Sequence, residues 1–187
     1  MKSLESIYNS ILLENLNIDI ELLKKCVKGT YTINDDGSID VDGDVILSSR
    51  KLIKIPFKFR NIIGDFFCSD NLLTSLEGAP INVGDSFNCS GNRLTSLNNA
   101  PNIVGGDFSC TCNRLTSLDG APDSISGDFL CVHNDNLPYS ELFKIVDRVK
   151  GDIFYSPDYL PEDKDKIRRD RDVKGVLKDS ELGDLDV

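Results

Sequence analysis

The chain has 187 residues, enough for one domain with a small appendage at each end. Hydrophobic residues make up 40% of it, which supports a packed core and excludes wholesale disorder. A formal charge of −10 repels phosphate backbones and anionic lipid, so neither nucleic acid nor a membrane is the expected partner, and a basic protein surface is.

Residues 3–28 read as helical. Leu4, Ile7, Tyr8, Ile11 and Leu12 form one apolar stripe. Asp19 is placed to cap a second short helix carrying Leu22, Leu23, Cys26 and Val27, with Gly29 ending it. Tyr31-Thr32-Ile33, the turn Asp35-Asp36-Gly37 and Ile39-Asp40-Val41 read as a hairpin. Residues 1–42 are therefore expected to cap a larger unit. The opening Met1-Lys2-Ser3-Leu4-Glu5 has no compact apolar run with a cleavage site, and no stretch approaches the ~20 apolar residues of a membrane span. A cytoplasmic protein is expected, with its six cysteines as thiols.

Residues 43–155 repeat themselves. Phe66/Cys68, Phe87/Cys89, Phe108/Cys110 and Phe129/Cys131 stand 21 residues apart. Asn71, Asn92, Asn113 and Asn134 keep that interval, as do Leu73, Leu94 and Leu115, then Leu76, Leu97 and Leu118. Pro80, Pro101 and Pro122 close each unit. Val45, Leu47, Leu52, Ile55 and Ile62 fit one period upstream as a diverged first turn, and Gly151-Asp152-Ile153 follows Gly127-Asp128-Phe129 after 24 residues. The longer last unit has helical apolar spacing at Leu142, Phe143, Ile145, Val146 and Val149.

In Phe-x-Cys the outer residues point one way and the middle one the other, as in a strand. Unit length, the apolar pattern and the Asn offset together resemble leucine-rich repeats. The expected fold is a repeat solenoid with short parallel strands on its concave face, a mostly irregular convex side, and an α-helical N-terminal cap. The resemblance implies an Asn ladder that satisfies turn backbone groups. The unit Gly-Asp-Phe-x-Cys-Ser-x-Asn-x-Leu-Thr-Ser-Leu-x-Gly-Ala-Pro, best seen in 64–80 and 106–122, is similar to repeats of tailed-bacteriophage leucine-rich-repeat proteins. That likeness implies a phage-encoded binding scaffold acting on a host protein, a defence component among the candidates, with no settled activity.

Residues 156–187 are highly charged and read as a C-terminal cap or tail, with a solvated helix or loose segment across Glu162–Asp172.

Candidate chemistry is sparse. Four cysteines share one inward repeat position and serve as small apolar residues. Cys110-Thr111-Cys112 lacks a partner pair for zinc, and a catalytic pair of Cys131 with His133 needs an outward thiol, against the repeat phase. Asp40-Val41-Asp42-Gly43-Asp44 has Val45 and Lys51 where an EF-hand needs Gly and Glu. No catalytic site, metal or cofactor is expected.

A partner-binding surface remains. Asp44, Asp65, Asp107, Asp128 and Asp152 precede the strands, with Asp85 displaced by one because Ser86 intervenes. These acids either cap corner backbone or form an acidic stripe. The middle strand positions vary: Ile46, Phe67, Asn88, Ser109, Leu130 and Phe154. Ser69, Ser90, Thr111 and Val132 complete the face. Variable residues on a regular scaffold set specificity, and exposed aromatics beside polar groups suit an interface. The expected function is a non-enzymatic protein-binding module using Asp44, Asp65, Phe67, Asn88, Asp107, Ser109, Asp128, Leu130, Asp152 and Phe154. A small-molecule-binding repeat protein and a cysteine-dependent enzyme are the alternatives.

Overall fold

The structure, a computed structural model, describes residues 18–155 and 161–171. Asp19 opens helix α1 (Ile20–Cys26): its carboxylate accepts the Leu22 amide at 2.9 Å, pairing one of the donors a helix start leaves over. Leu23 and Cys26 face the core. The apolar stripe expected at Leu4 to Leu12 lies outside the described residues. The helix stops at Cys26 rather than at Gly29, because the chain from Val27 enters a hairpin longer than the sequence suggested. Strand β1 (Val27–Ile33) pairs antiparallel with β2 (Ser38–Ile46), from Val27 opposite Val45 to Ile33 opposite Ile39. Gly29 sits opposite Gly43 within that ladder, both at positive φ. A Cβ on either meets the facing backbone oxygen, at 2.1 and 2.0 Å respectively, so this close approach requires glycine.

Strand β2 starts two parallel rows. Its first half pairs with β3 (Lys58–Ile62) and its second half with β4 (Phe66–Phe67). Two-residue strands then alternate along the chain: β5 (Asn82–Val83), β6 (Phe87–Asn88), β7 (Ile103–Val104), β8 (Phe108–Ser109), β9 (Ser124–Ile125) and β10 (Phe129–Leu130). A 3-10 helix (Tyr139–Lys144) and β11 (Ile153–Phe154) follow. One row runs β4-β6-β8-β10-β11, the other β3-β5-β7-β9. The chain is a parallel repeat solenoid with the 21-residue period read from the sequence. Its return path is more regular than expected. Ile62, Val83, Val104 and Ile125 are buried and in register, and they build the second row. Strand β2 crosses residue 43, so the hairpin and the first coil share one strand.

The core is a column of repeated contacts. Phe66, Phe87, Phe108 and Phe129 are fully buried and stack with ring centroids 5.4, 5.3 and 5.5 Å apart. Phe59 meets Phe66 edge-on at the first turn. Each ladder asparagine joins two coils. Asn92 donates from Nδ2 to the carbonyls of Cys68 (3.0 Å) and Cys89 (2.9 Å), while its Oδ1 accepts the Leu73 amide at 3.0 Å. Asn71, Asn113 and Asn134 repeat the arrangement. Buried backbone groups at each turn thereby find partners.

The last unit carries its extra residues as the 3-10 helix, from which Leu142 is fully buried, with Ile145 and Val146 buried just after it. Glu141 reaches back to accept the Leu118 amide at 2.8 Å. Strand β12 (Pro161–Glu162) then pairs antiparallel with β11, ending the parallel row. Helix α2 (164–171) inserts Ile167, fully buried, into the core. Residues 161–171 thus lie against the last coil; Tyr159, Leu160 and residues 172–187, the rest of the segment read as a cap or tail, lie outside the described residues.

Candidate functional site

Alternation in the Phe-x-Cys strands fixes the candidate face. With each Phe and Cys turned inward, Ile46, Phe67, Asn88, Ser109, Leu130 and Phe154 stand on the outer side of one parallel row, all half-buried. Parallel pairing sets them side by side about 4.8 Å apart. Phe67, Asn88, Ser109 and Leu130 line one recess of about 470 Å³, with Ser86, Ser90, Asp107 and Thr111 at its margin. Its ends are apolar, at Phe67 and Leu130, and its centre is polar.

Hydroxyl groups organise that centre. Ser90 Oγ lies 2.7 Å from Ser109 Oγ, and Ser109 Oγ lies 3.3 Å from Thr111 Oγ1. Asn88 accepts the Ser90 amide at 2.9 Å, which holds its side chain against the strand. Of the adjoining row, Ser69 and Ser90 stay half-exposed, whereas Thr111 and Val132 are buried. That second row therefore contributes its polar surface mainly in the earlier coils.

The aspartates form a ladder along one side of the face. Asp44 accepts the Asp65 amide (3.0 Å), Asp65 the Ser86 amide (2.8 Å), Asp107 the Asp128 amide (2.8 Å) and Asp128 the Asp152 amide (2.7 Å). Ser86 replaces an aspartate in the third rung, its Oγ accepting the Asp107 amide at 3.1 Å. Asp85 sits one residue earlier, exposed. Each carboxylate uses one oxygen on the next coil, as corner chemistry requires. Among the described residues no ion pair engages Asp44, Asp65, Asp107, Asp128 or Asp152. The row therefore combines a backbone role with uncompensated negative charge, and Asp107 and Asp152 are exposed.

The other candidate chemistry disperses. Cys68, Cys89, Cys110 and Cys131 are buried in one column. The Cys89, Cys110 and Cys131 thiols donate to the Ser109, Leu130 and Phe154 carbonyls, each at 3.4 Å. Burial pushes the Cys68 thiol up to about 12 and raises the other three well above the ordinary thiol range, which suppresses the nucleophilic thiolate. Cys112 is exposed while Cys110 is buried, so the Cys-Thr-Cys sulfurs face different environments. His133 is exposed at positive φ, beside the buried Cys131. Asp40 is taken by Arg60, Asn34 and Asn61, and Asp44 by the ladder, so that acidic run does not converge. Among the described residues no group of three or more His, Cys, Asp or Glu side chains is placed to hold a metal.

No protein family, curated protein or solved structure matches this chain. Function must be argued from its residues and their geometry.

Two features of the surface escaped the sequence reading. The second parallel row leaves Ile63, Ile81 and Ile103 exposed, at 64%, 50% and 51%. Residues 50–60, running from the irregular stretch after β2 into β3, gather five cations, Arg50, Lys51, Lys54, Lys58 and Arg60, without an acid among them. The signal for the second lay in plain charge counting along the first turn. The first was signalled by the 21-residue register of Ile62, Val83, Val104 and Ile125. No helix among the described residues is long and apolar enough to cross a membrane.

Proposed function

We propose that this chain is a non-enzymatic binding module that takes a protein partner on the face of the β4-β6-β8-β10-β11 row. The observation that carries the reading is the recess between Phe67 and Leu130, apolar at both ends, polar at Asn88 and Ser109, and bordered by the Asp ladder. A protein surface with one or two apolar side chains and a basic margin complements it: the apolar groups fill the ends, and lysines or arginines meet Asp107, Asp128 and Asp152. The similarity to tailed-bacteriophage repeats favours a host protein as that partner, with the module acting by occupying it in the cytoplasm.

A broad recess open to solvent suits a partner's surface better than a small ligand, which binds best when mostly enclosed. The reading is tested by comparing the proteins retained from host lysate by the wild-type chain and by a Phe67→Ser/Leu130→Ser chain. These two half-buried positions are outside the Phe column, so the variant should fold. A partner held by the wild type and lost by the variant supports the assignment.

A further inference from the structure

The first turn of the solenoid is basic in an acidic protein. Residues 50–60 carry five cations and no acid, while the whole chain has a formal charge of −10. Among the described residues three acids face this stretch. Asp36 pairs with Lys58 at 2.8 Å, Asp40 pairs with Arg60, and Glu77 lines the same surface without an ion pair among the described residues. Arg50 donates to the Lys25 carbonyl, and among the described residues none of Arg50, Lys51 and Lys54 has an acidic partner. The balance of five cations against three acids stays positive.

The shape here is a groove. Two adjoining recesses of about 520 and 480 Å³ share Lys58, Glu77 and Gly78. Lys54 and Ile53 border one, Arg60 and Ile81 the other. Ile53 is 72% exposed and Ile81 50%, which is unusual for isoleucines beside a groove unless something covers them. The complementary occupant is a short segment that alternates acidic and apolar residues.

This chain contains such a segment. Residues 179–187 read Asp-Ser-Glu-Leu-Gly-Asp-Leu-Asp-Val, with four acids, no cation, and Leu182, Leu185 and Val187 interleaved. They lie beyond helix α2, outside the described residues. Reach is not limiting. Arg171 bonds Asp147, one coil beyond β9, so the way back to β3 is four steps of about 4.8 Å, roughly 19 Å along the axis. The seven residues 172–178 can extend roughly 24 Å before the acidic segment begins.

We propose that residues 179–187 dock in the basic groove of their own chain, with acids on Lys54 and leucines against Ile53 and Ile81. The tail then lies across the first coils and closes a loop from the C-terminal cap to the N-terminal end of the solenoid. The groove is on the opposite row from the Phe67–Leu130 recess, so this inference stands independently of the proposed function.

The test is zero-length carbodiimide coupling of carboxylates to amines in the full chain, mapped by mass spectrometry. An equal mixture of 14N- and 15N-labelled protein separates links within a chain from links between chains. The Lys144–Asp119 ion pair, at 2.7 Å, is the internal control for reactivity. The expected result is an intrachain link from Lys54 to Glu181, Asp184 or Asp186. Its yield should fall severalfold on raising salt from about 0.05 M to 0.5 M, because exposed pairs are screened. It should also fall severalfold in an Ile53→Ser/Ile81→Ser chain, which keeps every amine and carboxylate. Failure to form the link while the Lys144–Asp119 control forms overturns the proposal. So does a link found only between chains, which makes a second copy the occupant. A yield unmoved by the isoleucine substitutions overturns docking in the groove.

Discussion

The Asp128 amide donates to the Asp107 carboxylate at 2.8 Å, one coil away. The most regular acid in the sequence is thus partly committed to the backbone of its neighbour, and its charge and its hydrogen bond are separable. Asp107→Asn keeps an oxygen acceptor, whereas Asp107→Ala removes it. The Ala variant should lose about 1 kcal/mol of stability by chemical denaturation, the ordinary worth of one hydrogen bond, with the Asn variant near wild type. Equal losses in both variants would assign the stabilisation to charge instead.

The asparagine ladder is more demanding, because it is buried. Asn92 pairs with the Cys68 and Cys89 carbonyls and the Leu73 amide, and it is 7% exposed. In Asn92→Ala these backbone groups lose their partner at a desolvated turn. Each unpaired buried group costs about 1–3 kcal/mol, so a loss of roughly 3 kcal/mol or more is expected from urea unfolding. A loss below about 1 kcal/mol would show that the turn repairs itself with water.

The Phe column makes the same kind of statement about packing. Phe87 lies between Phe66 and Phe108 with centroids 5.4 and 5.3 Å away. Phe87→Ala should cost about 3–5 kcal/mol. The neighbours on both sides lose a ring contact, so the penalty should exceed that of Phe57→Ala, whose ring meets Phe59 edge-on at 5.8 Å at the margin of the column.

The thiol column predicts an alkaline limit. Burial holds Cys68, Cys89, Cys110 and Cys131 above the ordinary thiol value, so below pH ~9 both folded and unfolded chains keep these protons and the thiols add no pH dependence to stability. Above that pH the unfolded chain ionises first, and stability falls by about 1.4 kcal/mol per pH unit for each thiol. Removing one thiol by Cys68→Ala should make the decline shallower by that amount. A thiol-specific dye should modify the exposed Cys112 in the folded protein and reach the five buried cysteines only on unfolding.

Much of this structure was legible because the repeat holds several residue classes in one phase. Phe, Cys, Asn and Leu at 21-residue intervals specify inward strands, a turn ladder and stacked coils. The second row was harder to see. Its strands are two residues long, and only Ile62, Val83, Val104 and Ile125 signal them, among partners as different as Asn82 and Ile103. The helix end was misplaced at Gly29 because glycine serves equally as a helix stop and as a close-approach residue in a ladder, and only the facing Gly43 distinguishes the two. The outward positions of Phe67 and Leu130 followed from strand alternation, whereas the recess between them needed the lateral register of four coils.

The face between Phe67 and Leu130 is proposed to bind a basic protein surface. The most direct measurement is affinity capture from host lysate by four chains: wild type, Phe67→Ser/Leu130→Ser, Asp107→Asn/Asp128→Asn, and Ile63→Ser on the other row. Circular dichroism melting of all four checks that the fold is kept. The expected result is a stoichiometric partner retained by the wild type and the Ile63→Ser chain and lost or severely reduced with the other two. Retention of that partner by the Phe67→Ser/Leu130→Ser chain with its fold intact would contradict it.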